Sequence, residues 1–371
     1  MLKILQVIDS LPATSGGSRF VVNLCKKLVK KGINVELLLI DGQNTHFLEE
    51  ILETNIKVHI LGRNINRFHP KYIKQVASYL SRYDVVHVHI FPASYIVALA
   101  SILNKKSAPI IFTEHSSFNR RANHFFFKKI EEFIYNKFLK VIAITPEVKD
   151  FIVNNLNINS NKISVIINGV DLEKIDLEMA LSNTELGIHE DDILILMAAR
   201  FSKEKDYQTL IKALAYLPDR FKLLMCGDGI ERQECEILVK ELKLDGRAFF
   251  LGNRSDIYKI IKASDINVLS SHYEGFGLSI VEAMAAKKPV IASNVPGMDN
   301  VVKDAGLLFE VGDDAKLAQH LLELGSDENY YIKISTQCFK RAQQYSLDAM
   351  TEQYIIQYHS MLNAKFYYEE K

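Results

Sequence analysis

Short apolar runs dominated by Val and Ile recur along the chain, separated by longer stretches in which apolar positions return at helical spacing. Runs without a polar alternate belong to strands buried on both faces, and parallel strands of that kind need helical crossovers between them. The first half supplies Ile4–Ile8, Val35–Ile40, Val85–Val88, Ile110–Thr113, Val141–Ile144 and Ile163–Ile167 as strands. The alternation then pauses over a polar, turn-rich passage from Asn168 to Asp192. It restarts with Ile193–Ala198, Lys222–Cys226, Ala248–Leu251, Ile266–Leu269 and Val290–Ala292. The restart places a domain boundary, with one domain over residues 1–168 and another over 169–345. Beyond Leu307 strand signals fade into helical periodicity, and Ser346 fits the N-cap of a last helix running to about Leu362. The expected class is α/β: two Rossmann-like doubly wound domains facing a central cleft, the first completed by a terminal helix from about 346 to 371 that crosses back to it. In such sheets ligands sit beyond the carboxyl ends of the strands.

Composition narrows the classes. At 371 residues the chain exceeds what one hydrophobic core organises. Its 45 basic and 45 acidic side chains cancel, which removes any global electrostatic pull toward nucleic acid. Cys25, Cys226, Cys235 and Cys338 lack the spacing of a zinc site or a disulfide framework, as suits a reducing compartment. The amino-terminal residues lack the apolar stretch and cleavage site of a secretory signal, and no run reaches the roughly 20 apolar residues of a membrane span. A cytoplasmic protein is expected, in solution or peripheral on the inner face of the cell membrane.

Ile266–Leu269 reads as a strand, Ser270–Phe276 as a loop and Leu278–Ala286 as a helix. Glu274 then precedes the helix and Glu282 lies about on its second turn, both at the carboxyl edge of a sheet. Gly275 and Gly277 leave backbone amides open to a ligand, and a helix amino end favours anionic oxygens. A polyhydroxyl-plus-phosphate ligand fits that chemistry; an ordinary turn residue and a solvated helix residue are the bland alternative. Arg200 and Lys205 project from a strand-to-helix loop of the same domain, where fixed cations can stabilise a departing diphosphate without a metal ion. Gly16-Gly17 opens the first helix but is not the dinucleotide fingerprint. Cys226-Gly-Asp-Gly reads as mainly architectural, because a short strand-to-helix turn needs glycine regardless. His87 and His89 alternate on one sheet face, which points to packing or hydrogen bonding.

With Gly-Phe-Gly-Leu inside it, the segment Glu274 to Glu282 resembles the E-x7-E motif of the retaining glycosyltransferases of family 4, of bacterial surface-polysaccharide type and GT-B fold. The resemblance spans nearly the whole chain. It implies an acceptor-binding first domain and a donor-binding second one. It further implies that Glu282 hydrogen-bonds the ribose of a nucleotide donor, that Glu274 contacts hydroxyls of the transferred sugar, and that amides from Gly275 through Phe276 and Gly277 to Leu278 hold sugar and diphosphate. Arg200 and Lys205 resemble the family's R-x4-K element, Gly16-Gly17 its phosphate or sugar loop, and Phe250-Leu-Gly-Asn-Arg254 the loop that reads the donor base. His115, closing Thr113-Glu-His115 at a strand end, stands where many members carry a histidine. Neither cofactor nor metal is implied beyond the nucleotide diphosphate sugar itself, with UDP the preferred carrier.

Phe118-Asn-Arg-Arg-Ala-Asn-His-Phe-Phe-Phe-Lys-Lys129 mixes cations with aromatic residues. Arg120, Arg121, Lys128 and Lys129 are placed to attract acidic head groups or an acceptor diphosphate, unless Phe125–Phe127 simply form the buried side of a helix. The expectation is retaining transfer of a hexose or N-acetylhexosamine to a saccharide or polyprenyl-diphosphate-linked saccharide. Two rivals share parts of this pattern. A glycoside hydrolase uses a carboxylate pair about 5 Å apart, and a sugar-nucleotide epimerase of the same fold would isomerise its donor without an acceptor.

Overall fold

The computed structural model describes residues 2–13, 15–116 and 125–369. Internal contacts divide the chain into two units, Met1–Asn168 with Leu347–Lys371, and Gly169–Ser346.

The first unit holds a seven-stranded sheet of β1 (Lys3–Ile8), β2 (Asn34–Leu39), β3 (Lys57–Ile60), β4 (Val85–His89), β5 (Ile110–Glu114), β6 (Lys140–Ala143) and β7 (Ile163–Val165). Its order is β3-β2-β1-β4-β5-β6-β7, and every pairing is parallel. The connections carry α1 (Gly16–Lys30), α2 (His46–Leu52), α3 (Lys71–Ala77), α4 (Ala93–Leu103), α5 (Phe125–Lys137) and α6 (Pro146–Leu156). Local chemistry sets the helix starts: Ser15, Thr45 and Thr145 accept amide protons at the amino ends of α1, α2 and α6, and Pro146 takes the first position of α6.

In the second unit α7 (Leu172–Leu177) is followed by β8 (Ile193–Ala198), α8 (Tyr207–Ala215), β9 (Phe221–Cys226), α9 (Arg232–Glu241), β10 (Ala248–Gly252), α10 (Ile257–Ala263) and β11 (Ile266–Leu269). There follow α11 (Leu278–Ala285), β12 (Val290–Ser293), α12 (Asp299–Val302), β13 (Leu307–Phe309), α13 (Asp314–Ser326) and α14 (Glu328–Ala342). The sheet order is β10-β9-β8-β11-β12-β13, again all parallel. Strand order reverses beside β1 in one sheet and beside β8 in the other, and doubly wound sheets bind ligands at such a reversal.

α15 (Leu347–Glu369) returns to the first unit. It buries Leu347, Met350, Tyr354, Tyr358 and Met361 in that core, and Lys27 of α1 and Lys31 at its C-cap pair with Asp348 and Glu352 of α15 at 2.9 and 2.5 Å. Where the chain enters and leaves the second unit, the Val170 amide donates to the Tyr345 carbonyl at 2.9 Å.

Two strands escaped the pattern of apolar runs. β3 and β13 are edge strands, largely half-buried; Lys57 and His59 interrupt the apolar residues of β3, and β13 is apolar but only three residues long. The helix after Ser346 also continues beyond Leu362, to Glu369. All four cysteines are free and buried. Among the described residues no helix is long and apolar enough to cross a membrane.

Candidate active site

Arg200 and Lys205 lie on the loop leaving β8, and Glu274 lies on the loop leaving β11, its hydrogen-bonded neighbour. Main-chain bonds zip the two loops together: the Asp206 amide donates to the Ser270 carbonyl at 3.0 Å and the His272 amide to the Glu204 carbonyl at 2.9 Å. The Ser270 hydroxyl adds a bond to the Asp206 carbonyl at 2.6 Å, while the Asp206 side chain caps α8. This register brings the Lys205 ammonium onto the Glu274 carboxylate in a direct ion pair, with the Ser271 hydroxyl 3.5 Å from Lys205 Nζ.

Glu274 also accepts from the amide of Gly275 at 3.0 Å and from that of Gly277. Burial works against its charge, yet Lys205 and these donors outweigh it and hold the carboxyl below the usual range. Arg200 differs. Its side chain is exposed and forms no ion pair or hydrogen bond among the described residues. The loop beneath it is rigid, since Phe201 is fully buried and stacked at 3.9 Å on Tyr207, whose hydroxyl donates to the Ala199 carbonyl at 2.7 Å. Gly227 and Gly229 press on the Ala199 and Phe201 carbonyls so closely that any Cβ would collide. That turn therefore supports the Arg200 loop by shape.

Gly277 caps α11 in the left-handed region at φ +75°, with Met298 packed where a Cβ would go. Phe276 turns into the core and meets Tyr345 edge-on at 5.2 Å, so its amide, not its ring, is what it offers a ligand. Glu282 is buried on α11 and accepts from the Tyr258 hydroxyl at 3.1 Å. Arg254 follows β10 and grips Asp256 with two bonds of 2.8 and 2.7 Å, so part of its fork is already engaged.

On the first unit Gly16 and Gly17 begin α1. Ile90 fills the space a Gly17 side chain would need, a packing reason for that glycine independent of any ligand. His115 sits just past β5, edge-on to Phe20 at 4.7 Å, with Nε2 3.4 Å from His89 Nδ1. Burial pushes its pKa down to about 3, so the ring is neutral near pH 7. His87 and His89 are fully buried and hydrogen-bonded, as their shared face implies. Of the basic aromatic segment, Arg120 and Arg121 lie outside the described residues. Lys128 and Lys129 are in the first turn of α5, where Lys129 pairs with Glu132 at 2.9 Å and Phe127 is exposed.

Sequence reasoning missed two features at the carboxyl edges. Gly297, at φ +87°, abuts the Glu274 and Gly275 carbonyls and braces the glutamate loop from the turn after β12; Val-Pro-Gly following a strand was its signal. In the first unit Asp9, just past β1, pairs with Arg67 and accepts from Ser10 at 3.1 Å. Burial raises the Asp9 pKa against the opposing pull of Arg67. Nothing local in the sequence marks Arg67. Among the described residues no cluster of three or more His, Cys, Asp or Glu is arranged to hold a metal ion.

Two doubly wound parallel sheets, the second with a lysine–glutamate pair at its carboxyl edge, agree with the GT-B fold that the sequence resemblance implies. Residues 14–174 match the description Glycosyltransferase Family 4 and residues 180–344 match Glycosyl transferases group 1, and the chain belongs to that family. It is 28% identical over 346 residues, 86% of this chain and 87% of the other, to the Escherichia coli UDP-Gal:alpha-D-GlcNAc-diphosphoundecaprenol alpha-1,3-galactosyltransferase. A Campylobacter jejuni N-acetylgalactosamine-N,N'-diacetylbacillosaminyl-diphospho-undecaprenol 4-alpha-N-acetylgalactosaminyltransferase is 27% identical over 61% of this chain and 60% of its own. The crystal structure of Anabaena HepE in complex with UDP-glucose superposes with a TM-score of 0.86 at 22% identity, covering 97% of this chain and all of that one.

Proposed function

We propose that this glycosyltransferase moves a hexose or N-acetylhexosamine from a UDP-sugar to a saccharide or polyprenyl-diphosphate-linked saccharide in cell-surface polysaccharide synthesis, with retention and without a divalent cation. The observation that carries this reading is the zipped pair of loops, which sets the Lys205–Glu274 pair beside the amides of Gly275 and Gly277, with the exposed Arg200 on the same loop as Lys205. The names of the Escherichia coli and Campylobacter jejuni relatives, both acting on undecaprenol diphosphates, support the acceptor class.

Arg200, Lys205 and the amino end of α11 stabilise the negative charge that develops on the leaving diphosphate. Glu274 orients the transferred sugar and Glu282 takes the ribose hydroxyls, while Arg254 lies on the base side. At the carboxyl edge of the first unit's own sheet, the amides near Gly16 and Gly17 and the neutral His115 bind a sugar or phosphate group. In the front-face reaction the bond from the anomeric carbon to the diphosphate oxygen breaks, and the acceptor oxygen bonds on the same face. The acceptor proton passes to a donor phosphate oxygen. Most of the acceleration then comes from positioning and fixed charge. The enzyme works in the cytoplasm. Arg120, Arg121, Lys128 and Lys129 draw it to an anionic membrane surface where a lipid-linked acceptor resides.

The test is a panel of UDP-, GDP-, ADP- and dTDP-sugars read by thermal shift and nucleotide release, with chelator present throughout. A ligand at a hundred times its Kd adds about 2.7 kcal/mol of stability, enough to single out one nucleotide. Stabilisation by UDP-sugars and release under chelator are expected. Release only on adding a divalent cation, or an inverted product by NMR, overturns the mechanism. Isomerised donor without acceptor marks an epimerase instead.

A further inference from the structure

Seven polar side chains of the first unit form one unbranched hydrogen-bonded path, of which the proposed chemistry uses only His115. It begins at His115, whose Nε2 lies 3.4 Å from His89 Nδ1. His89 Nε2 lies 2.7 Å from the Gln6 carbonyl oxygen, and the Gln6 amide donates to the Tyr358 hydroxyl at 3.2 Å. Tyr358 meets His87 Nδ1 at 2.7 Å, His87 Nε2 meets the Thr113 hydroxyl at 2.7 Å, and Thr113 meets Tyr354 at 3.2 Å. Every member after His115 is fully buried, and Phe20 packs on the rings of His115, His89 and Tyr354.

Burial disfavours a charge on each of the three histidines, so each ring carries one proton, donating from one nitrogen and accepting at the other. A path of such groups can run in one of two directions. The orientation of Gln6 selects between them. Its carbonyl can only accept, so His89 donates from Nε2 and accepts at Nδ1; His115 in turn donates from Nε2. From the amide of Gln6 the protons continue through Tyr358 and His87 to the Thr113 hydroxyl, which meets Tyr354. We infer that this wire fixes the tautomer of His115, presenting a bare Nδ1 as hydrogen-bond acceptor to a substrate hydroxyl, with Gln6 and Tyr358 of the terminal helix as positioning residues. The opposite direction would present an N–H there and reject the same hydroxyl proton. The consequence for catalysis rests on the proposed substrate contact of His115; the wire itself does not.

The test is the nitrogen-15 imidazole spectrum of the full chain at neutral pH. His115 is expected to be protonated on Nε2 and bare at Nδ1. Gln6→Met keeps the volume but strands the buried His89 Nε2 proton, so His89 should shift its proton to Nδ1 and His115 should reverse. Donor kcat/KM then falls about tenfold, the scale of one lost hydrogen bond. Gln6→Glu restores an acceptor toward His89 and should restore the His115 tautomer. If Gln6→Met does not fold, Gln6→Glu still discriminates: His115 stays protonated on Nε2, while His87 loses the Tyr358 proton to the new carboxylate and moves its own to Nδ1. A wild-type His115 protonated on Nδ1, or one unchanged in folded Gln6→Met, overturns the wire. Reversal with unchanged kcat/KM upholds the wire and overturns the substrate contact of His115.

Discussion

The two motif glutamates sit in different electrostatic surroundings, and this separates their roles. Glu274 is held ionised by Lys205 and two loop amides, whereas Glu282 is buried against the Tyr258 hydroxyl. Glu274→Gln is expected to lower turnover while leaving UDP affinity nearly unchanged, and Glu282→Gln to weaken UDP binding; calorimetric titration beside initial rates decides, and the reverse pattern exchanges the roles. Lys205→Ala leaves Glu274 without its cation and should lower kcat about 10²–10³-fold, as loss of one preorganised charge-stabilising donor does. The folded Glu274 pKa lies below its unfolded value, so its stabilisation is complete above the ordinary carboxylate value of about 4.3 and is lost as pH falls through the folded one. The unfolding free-energy gap between wild type and Glu274→Gln should therefore be flat near neutral pH and shrink in acid. A gap that widened in acid would mean the carboxyl is held protonated. Glu274, Lys205 and Arg200 were legible because their spacing lies within two short loops. Asp9 and Arg67 were not, being 58 positions apart with no pattern joining them.

At the scale of elements, strand identity followed apolar runs, the edge strands β7 and β10 included, and failed for β3, whose Lys57 and His59 break the run, and for the three-residue β13. Loop geometry was less legible than strands, because what fixes it is contact with other loops. Gly277 faces the flexible thioether of Met298, whereas Gly297 faces the backbone carbonyls of Glu274 and Gly275. Gly277→Ala should cost about 1–2 kcal/mol from its left-handed backbone, beyond any Met298 repacking. Gly297→Ala must displace the glutamate loop itself and should lower kcat about a hundredfold, since a shift near 1 Å at a reacting centre suffices for that. Thermal melts and initial rates of both variants separate the effects; Gly297→Ala with wild-type turnover would show that this brace does not position Glu274.

For the molecule as a whole, the pause after Asn168 announced two units, but the division of labour at the carboxyl terminus depends on partners far away in sequence. Gln6 and Tyr358 are 352 positions apart, and the His87–Tyr358 bond spans 271. Periodicity shows that residues beyond Ser346 form a helix; it cannot show which core they complete. In the fold α15 places Leu347, Met350, Tyr354, Tyr358 and Met361, each at most 3% exposed, into the core of the first unit. A fully buried side chain of this size contributes about 1.5–3 kcal/mol, so five of them together rival the whole net stability of about 5–15 kcal/mol for a typical domain. Removing α15 also strands buried donors and acceptors on Gln6, His87 and Thr113, adding a desolvation cost. A chain ending at Ser346 should therefore lose the protease resistance of residues 1–168 while residues 169–346 keep theirs, with one calorimetric transition gone and the other near its original temperature. Full protection of 1–168 in that truncation would show that α15 decorates a self-sufficient sheet; loss of both transitions would show that the second unit draws its stability from the first.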